Sequence, residues 1–297
     1  MKQILTRWRS EGSLFQYKNQ SVFYRRTGEG SAVVAIHGYP LSSWDWSFIW
    51  EALSYRHELI AADMLGFGFS DKPRKYEYSI FDHADMHEAL LCKLKKTDVH
   101  ILAHDLGVSV AQELLARFED GKTNLKIRSL CFLNGGLFAE AYQPRIMQKI
   151  LSSPFGRFIG PRIPKKLFRK SMSEVFGPEN KPTDDELETY WQIVNCNDGL
   201  KVTHLVGRFI LERIQFRDRW VNPMLKTKVP MRFINAPYDP NSGLHMAKRY
   251  QALIPQPDVV LLDETIGHWP QIEAPAATSK NIIAFYEKCE NTEREKV

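Results

Sequence analysis

Asp105 is the residue of this sequence that has the setting of an enzyme nucleophile. It follows the apolar run 99–104 and precedes a helical pattern that begins near Gly107. A tight turn between a strand and a helix exposes a nucleophile at the edge of a sheet, and serine is the usual residue there. An aspartate before a helix is often only an N-cap. The catalytic interpretation therefore depends on partners elsewhere in the chain.

Asp239 and His268 are those partners. Each follows an apolar run, 229–236 and 258–263 respectively, and the order nucleophile, acid, histidine is typical of nucleophile-elbow enzymes. Asp239 can accept a hydrogen bond from one nitrogen of His268, which leaves the other nitrogen to take a proton from water. Taken alone, Asp239 would be interpreted as a turn residue and His268 as a structural histidine. Together with Asp105 they predict a catalytic triad.

The motif His37-Gly38-Tyr39-Pro40 follows the apolar run 31–37. Its glycine allows a tight turn, so the backbone N–H of Tyr39 can face a developing negative charge, as can the N–H of Leu106 after Asp105. The start of the helix adds partial positive charge. We therefore expect Tyr39 and Leu106 to form an oxyanion hole, although a similar motif also occurs as an ordinary strand-ending turn.

Apolar strand patterns alternate with amphipathic helical ones, which predicts an α/β fold with a mostly parallel sheet flanked by helices. The expected strands cover residues 31–37, 58–63, 99–104, 127–134, 229–236 and 258–263. From residue 137 to 222 the pattern is helical and rich in proline. We predict a core domain of residues 1–136 and 223–297. Residues 137–222 should form a helical cap over the carboxyl ends of the strands, where such sheets bind ligands.

The composition indicates an ordinary globular protein. The chain has 297 residues, a formal net charge of +5 with neutral histidines, and four cysteines without metal-binding spacing. The densest basic stretch, residues 157–170, is interpreted as a solvated helix face. No run approaches the length of a membrane span, and the N-terminus lacks the apolar centre of a signal peptide. We expect a cytoplasmic monomer or homodimer that contacts neither nucleic acid nor membrane.

Over residues 8–288 the sequence resembles the α/β-hydrolase superfamily, and within it the branch of epoxide hydrolases and haloalkane dehalogenases. It is most similar to the mesoderm-specific transcript proteins and their bacterial relatives. The resemblance is carried by residues 37–40, 42–46, 65–73, 78–80, 111–115, 134–136, 175–178, 197–199 and 219–221. It implies the α/β-hydrolase fold, the helical cap and an Asp–His–Asp triad that works without a metal ion or an organic cofactor.

The reaction follows from the nucleophile. A carboxylate suits attack at an sp³ carbon, which forms an ester that activated water then hydrolyses. The leaving group is a halide or an epoxide oxygen. Haloalkane dehalogenases usually have tryptophan after the nucleophile and often asparagine within the HGxP motif, whereas fluoroacetate dehalogenases usually have arginine after the nucleophile. This chain has Leu106 after Asp105 and Tyr39 within the motif, so it lacks all three residues. We therefore predict an epoxide hydrolase that converts a small apolar epoxide to a vicinal diol.

Ring opening needs an acid, and the resemblance implies cap tyrosines for that role. The candidates are Tyr142 and Tyr190, with His204 as a further possible donor.

The expected substrate-binding residues are His37, Trp44, His104, Phe138, Trp191 and Trp269. The alternatives are a haloalkane dehalogenase, another α/β-fold hydrolase, and a hydrolase-like binding protein without turnover.

Overall fold

The computed structural model describes residues 1–295, which form an eight-stranded sheet with helices on both faces. The strands are β1 (Ser13–Tyr17), β2 (Gln20–Thr27), β3 (Ser31–Ile36), β4 (His57–Ala62), β5 (Asp98–Ala103), β6 (Lys126–Phe132), β7 (Met231–Asn235) and β8 (Asp258–Leu261). Across the sheet their order is β1-β2-β4-β3-β5-β6-β7-β8. All pairs from β4 to β8 are parallel. The α/β-hydrolase fold predicted from the sequence is confirmed.

The six predicted strands are present as β3 to β8, each within two residues of its predicted bounds. They were recognisable because parallel strands are covered on both faces and read as apolar runs. The antiparallel hairpin of β1 and β2 was not predicted, since both strands mix polar and apolar residues at the sheet edge. Its two-residue turn, Lys18 and Asn19, has positive φ at both positions, as hairpin turns of this length require.

Fourteen α-helices accompany the strands within residues 1–295. They are α1 (Lys2–Ser10), α2 (Trp50–Ser54), α3 (Ile80–Lys93), α4 (Leu106–Glu119), α5 (Ile146–Ser152), α6 (Gly156–Ile159), α7 (Lys165–Ser173), α8 (Asp184–Asn195), α9 (Thr203–Val206), α10 (Phe209–Gln215), α11 (Arg217–Lys226), α12 (Leu244–Leu253), α13 (Pro270–Glu273) and α14 (Pro275–Arg294). Short 3₁₀ helices cover Ser43–Phe48, Gly160–Arg162 and Cys196–Lys201. None of the helices in this part of the chain combines the length and apolar character that crossing a bilayer requires.

Residues 133–230, all of which are described, are helical or irregular and lie in sequence between β6 and β7. The inserted helices therefore match the expected position of the cap. Helix α11 crosses the predicted domain boundary at 222/223 and packs on α4, where Glu113 accepts hydrogen bonds from Arg219 and from the indole of Trp220. The division into residues 1–136 and 223–297 as core and 137–222 as cap stays a prediction.

Helix α4 approaches β3 very closely at Gly107. A Cβ atom there would lie 2.2 Å from the carbonyl oxygen of Ile36 and 2.7 Å from that of His37. Both obstacles are backbone atoms of the sheet, so they cannot move aside as a flexible side chain could. The absence of a side chain at Gly107 therefore fixes how the turn before α4 sits above the sheet.

We expect Gly107→Ala to lower the free energy of unfolding by about 3 kcal/mol because the added methyl group must displace backbone. Urea denaturation followed by circular dichroism would measure this loss. The matched control is Gly121→Ala, which meets no atom within 4 Å but has a φ of +64°. Its cost should be only about 1 kcal/mol. Equal losses in the two variants would contradict the close-approach argument.

Candidate active site

Asp105 lies in the turn between β5 and α4 with φ +47° and ψ −107°. Asp105 occupies the N-cap position of α4, but its side chain makes no capping hydrogen bond to the helix. This backbone conformation is strained for a residue with a side chain, and surrounding contacts must hold it. The N–H of Asp105 donates to the carbonyl of Asn134 at 2.8 Å, and its own carbonyl accepts from Arg213 at 2.8 Å. The turn thus has the geometry of a nucleophile elbow.

The carboxylate of Asp105 is 1% exposed and faces the HGYP motif. Its Oδ1 accepts the backbone N–H of Tyr39 at 2.9 Å. Leu106 is the first residue of α4, so its N–H has no carbonyl partner inside the helix. A Cβ atom on Gly38 would lie 2.5 Å from the Cβ of Asp105, so only glycine permits this approach. The two predicted oxyanion-hole residues, Tyr39 and Leu106, therefore both flank the Asp105 carboxylate.

His268 lies between two carboxylates. Its Nδ1 is 2.8 Å from Oδ2 of Asp239, a hydrogen bond, and its Nε2 is 3.6 Å from Oδ2 of Asp105, an ion-pair distance longer than a hydrogen bond. Asp239 also accepts hydrogen bonds from Ser242 at 2.6 Å and Asn134 at 3.0 Å. Asp239 is thereby fixed as an acceptor, so Nδ1 carries a proton and Nε2 is the nitrogen that faces Asp105.

The charges of the three residues support one another. Burial lowers the pKa of His268, but the carboxylates of Asp239 and Asp105 outweigh burial and raise it to about 10. Burial also opposes ionisation of Asp105, but His268 and the cationic Arg213 hold its pKa well below the usual range. The site at neutral pH therefore contains an imidazolium between two carboxylates.

His37 and His104 are buried next to this site, where they are neutral and hydrogen-bond to the backbone. Burial lowers the pKa of each to about 3. His37 accepts the N–H of Met64 at Nε2, so its Nδ1 carries the proton and donates to the carbonyl of Gly38. His104 Nε2 is 2.8 Å from the carbonyl of His268 and donates to it. The geometry gives both residues backbone partners, whereas the sequence analysis expected them to contact substrate.

Arg213, on α10, is a site residue that the sequence analysis did not single out. It is 3% exposed and donates to the carbonyl of Asp105 at 2.8 Å and to the hydroxyl of Ser109 at 2.7 Å. Its guanidinium lies over the rings of Tyr142 and Phe209, at 4.9 and 4.6 Å from the ring centroids. It brings a positive charge from the inserted helices to the back of the elbow. Nothing in its local sequence pattern distinguishes it from a surface arginine.

An apolar cavity of about 90 Å³ adjoins His268. Its walls come from the HGYP motif, α5, α7, α8 and the segment around Thr203. The apolar lining residues are Met147, Leu151, Ile163, Leu167, Phe168, Met172, Val175, Val194 and Leu200. Arg145, Gln148, Ser171, Thr203 and Asn241 add polar groups. Of the six expected substrate-binding residues, only Trp269 lines this cavity.

The remaining expected aromatic residues pack elsewhere. Trp44 is fully buried against Tyr190, with ring centroids 5.9 Å apart. Phe138 packs near Tyr250 at 6.4 Å, and Trp191 packs on the far side of Phe168 at 5.4 Å. Phe168 lines the cavity, so Trp191 packs on a wall residue, but none of the three expected residues lines the cavity itself. These aromatic residues were expected in the pocket because they lie near the motifs in sequence, but long-range packing determines which way each side chain points.

The two cap tyrosines occupy different environments. Tyr190 is fully buried between Trp44 and Phe176, lies outside the cavity, and its hydroxyl has no partner among residues 1–295. The hydroxyl of Tyr142 accepts hydrogen bonds from Gln148 at 2.9 Å and Asn241 at 3.1 Å, both of which line the cavity. Partly buried His204 does not line the cavity. The structure thus places Tyr142 one residue behind the wall and Tyr190 farther away.

Tyr39 is the tyrosine that lines the cavity within the described part of the chain. Its hydroxyl is 2.7 Å from Oγ1 of Thr203, which lines the cavity as well. Burial raises the pKa of Tyr39 to about 12, so the hydroxyl keeps its proton at neutral pH. From the sequence, only the backbone N–H of Tyr39 was expected at the site. The side chain could not be placed without knowing that Thr203 folds back over the HGYP motif.

Comparison with known proteins identifies the family and the fold of the chain. Residues 31–275 match the family model described as the alpha/beta hydrolase fold. The mesoderm-specific transcript protein of Mus musculus is 39% identical over 291 residues, covering 94% of this chain and 86% of that protein. The haloalkane dehalogenase DatA of Agrobacterium tumefaciens superposes with a TM-score of 0.79 at 18% identity, covering 94% of this chain and 96% of DatA. Epoxide hydrolase CorEH superposes with a TM-score of 0.76 at 17% identity, covering 93% and 98%.

We expect Asp105→Asn to lower the pKa of His268, because one of the two carboxylates that raise it to about 10 is removed. An NMR titration of labelled histidine would measure the change, with the His268 signal assigned by its loss in His268→Gln. Asp263→Asn removes an exposed carboxylate and serves as the control. An unchanged pKa of His268 in Asp105→Asn would show that the two residues are not electrostatically coupled.

We expect Ser242→Ala to lower the free energy of unfolding by about 2 kcal/mol, because a buried hydrogen bond to the charged Asp239 is lost. Ser10→Ala, which removes an exposed bond to the carbonyl of Arg7, should cost less than about 0.5 kcal/mol. Urea denaturation of both variants would test this. A loss at Ser242 no larger than that at Ser10 would mean that the Asp239 network contributes little to stability.

Proposed function

The chain belongs to the α/β-hydrolase fold family, and on this basis we propose that it is an epoxide hydrolase that converts an apolar epoxide to a vicinal diol. The observation that carries the proposal is the Asp105 carboxylate, which occupies the nucleophile position with one oxygen on the Tyr39 N–H and the other 3.6 Å from His268. A carboxylate there favours attack at an sp³ carbon over attack at an ester, which would give an anhydride.

In the first step Oδ2 of Asp105 attacks an epoxide carbon and the carbon–oxygen bond of the ring breaks. The leaving alkoxide takes the proton of the hydroxyl of Tyr39, a residue that lines the cavity and whose hydroxyl contacts Thr203. The product is an alkyl ester on Asp105, with a phenolate at Tyr39. Assigning the acid to Tyr39 differs from the expectation of Tyr142 or Tyr190, since neither of these lines the cavity.

Formation of the ester changes the charge around His268. The negative charge of Asp105 is lost, so one of the two causes that raise the pKa of His268 disappears. The proton released by the imidazolium can restore the hydroxyl of Tyr39, and neutral His268 is then a general base. His268 therefore becomes a general base only after the ester on Asp105 has formed. This order explains how a histidine that is protonated in the free protein can activate water.

In the second step Nε2 of His268 takes a proton from water, whose oxygen attacks the acyl carbon of Asp105. The tetrahedral oxyanion is held by the backbone N–H groups of Tyr39 and Leu106. Its collapse expels the diol oxygen, which takes the proton back from His268. The proton left on the Asp105 carboxyl passes to His268, which restores the starting ion pair.

A haloalkane dehalogenase is the second candidate. The observation that favours it is Trp269, which lines the cavity beside His268 and whose indole N–H has no acceptor within residues 1–295. An indole N–H can hold a leaving halide. The reaction would use the same ester on Asp105 and would need no acid, so the two candidates differ in their dependence on Tyr39.

We expect His268→Gln to accumulate an ester with an aryl epoxide such as styrene oxide, because attack by Asp105 remains while water activation is lost. Intact-protein mass spectrometry should show the protein mass increased by one epoxide, with the label on the peptide that contains Asp105. Diol formation should fall by roughly a thousandfold or more. His268→Gln combined with Asp105→Asn is the control and should carry no adduct.

Tyr39→Phe should lower kcat/KM for diol formation by about a hundredfold or more, whereas Tyr142→Phe and Tyr190→Phe should change it much less. A large loss in Tyr142→Phe alone would move the acid role to Tyr142. Halide release from 1-bromobutane that survives Tyr39→Phe, with no diol from any epoxide, would favour the dehalogenase. Absence of adduct and of turnover with both substrate classes would refute the proposal and leave a binding role.

A further inference from the structure

The segment 145–170, which supplies α5, α6 and most of α7, has a one-sided charge. It contains eight lysines and arginines and no aspartate or glutamate. Three of these cations pair with carboxylates from outside the segment, namely Arg145, Lys165 and Arg169. The other five are exposed, and no ion pair to a carboxylate of residues 1–295 involves them: Lys149, Arg157, Arg162, Lys166 and Lys170. Such a concentration of unneutralised charge attracts an anionic partner.

The same segment exposes large apolar side chains. These are Ile146 at 77%, Phe155 at 69%, Phe158 at 54%, Leu167 at 40% and Ile159 at 38% of their surface. Single exposed apolar residues are common, but five within one short segment are a feature of interaction sites. We call these five residues and the five unpaired cations the cap patch. A partner that covers the cap patch must therefore offer apolar groups to the five apolar side chains and anionic groups to the five cations.

The segment that carries the cap patch also supplies part of the wall of the active-site cavity. Met147 and Leu151 of α5, Ile163, and Phe168 and Met172 of α7 line the cavity from this segment. Leu167 both lines the cavity and is 40% exposed, so the cap patch and the cavity wall share this residue. An apolar molecule held against the cap patch would therefore lie next to the cavity wall.

We propose that the cap patch docks on the surface of a lipid bilayer that contains anionic lipids. Anionic head groups would neutralise the five cations, and the exposed phenylalanine, isoleucine and leucine side chains would enter the boundary between head groups and acyl chains. A nucleic acid would satisfy the cations but offers no apolar layer for Ile146, Phe155 and Leu167. Docking of this kind needs no membrane-spanning helix.

This inference replaces the sequence-based interpretation of residues 157–170 as a solvated helix face. That interpretation rested on charge alone, and the exposure of Phe155 and Phe158 was not visible in the sequence pattern. It also departs from the expectation of no membrane contact, which rested on the lack of a spanning segment. The docking does not depend on the chemistry proposed for Asp105, so it can be tested without any substrate.

The test is co-sedimentation of the full chain with two kinds of vesicle, one of phosphatidylcholine alone and one of equal parts phosphatidylcholine and phosphatidylglycerol. We expect binding to the anionic vesicles that weakens with added salt, and little binding to the neutral ones. Two patch variants separate the contributions: Lys166→Glu with Lys170→Glu, and Phe155→Ser with Phe158→Ser. Each should weaken binding to anionic vesicles by about tenfold or more.

The matched controls change exposed residues outside the patch. Lys226→Glu with Lys228→Glu tests for a general effect of net charge, and Leu14→Ser with Tyr55→Ser tests for a general effect of exposed apolar surface. Both should bind as the wild type does. Circular dichroism and thermal unfolding of all four variants would show that the fold is intact, as expected for exposed positions.

Absence of wild-type binding to anionic vesicles would overturn the proposal. So would equal losses in patch and control variants, which would indicate a charge effect of the whole protein. Binding that depends on the lysines but not on Phe155 and Phe158, and that RNA displaces, would show a polyanion site instead. Loss of binding in both patch variants, with both controls unchanged, would support docking at the cap patch.

Discussion

The backbone at Asp105 has a conformation that few residues with a side chain adopt, and the rest of the site depends on how that turn is held. The segment that follows β6 fixes it from one side through the carbonyl of Asn134, and Arg213 fixes it from the inserted helices. Gly107 lets α4 approach the sheet closely enough for the turn to form. The strained turn is therefore supported by the sheet, by a helix of the core and by the insertion together.

Charge balance follows from the same arrangement. Asp105 and Asp239 are two buried carboxylates, and they are offset by His268 and by the guanidinium of Arg213. A buried charge without compensation would be strongly destabilising, so each member of the set stabilises the others. Because Arg213 comes from the insertion, the inserted helices contribute to the electrostatics around Asp105 as well as to the shape of the pocket. In the proposed reaction, esterification of Asp105 breaks this balance and thereby frees His268 to act as a base.

The insertion also gives the cavity its character. Helices α5 and α7 line the pocket with some of their apolar side chains and leave others exposed at the surface. A helix has side chains on all of its faces, so a short helix that lines a cavity on one side must present another side to its surroundings. In segment 145–170 that outer side combines cations with phenylalanine and isoleucine, which is why we infer that a bilayer surface covers it.

The sequence by itself determined the parallel strands, the elbow at Asp105, the order of the triad and the HGYP turn. These features are local, because an apolar run, a strand-ending glycine and a residue before a helix are recognisable within a few positions. Only the tertiary structure decided that Tyr39 is the tyrosine that lines the cavity, that Trp44 and Tyr190 pack against each other outside it, and that Arg213 reaches the elbow. The physical reason is that helical periodicity gives the spacing of side chains on a helix but not which long-range neighbour each face will contact.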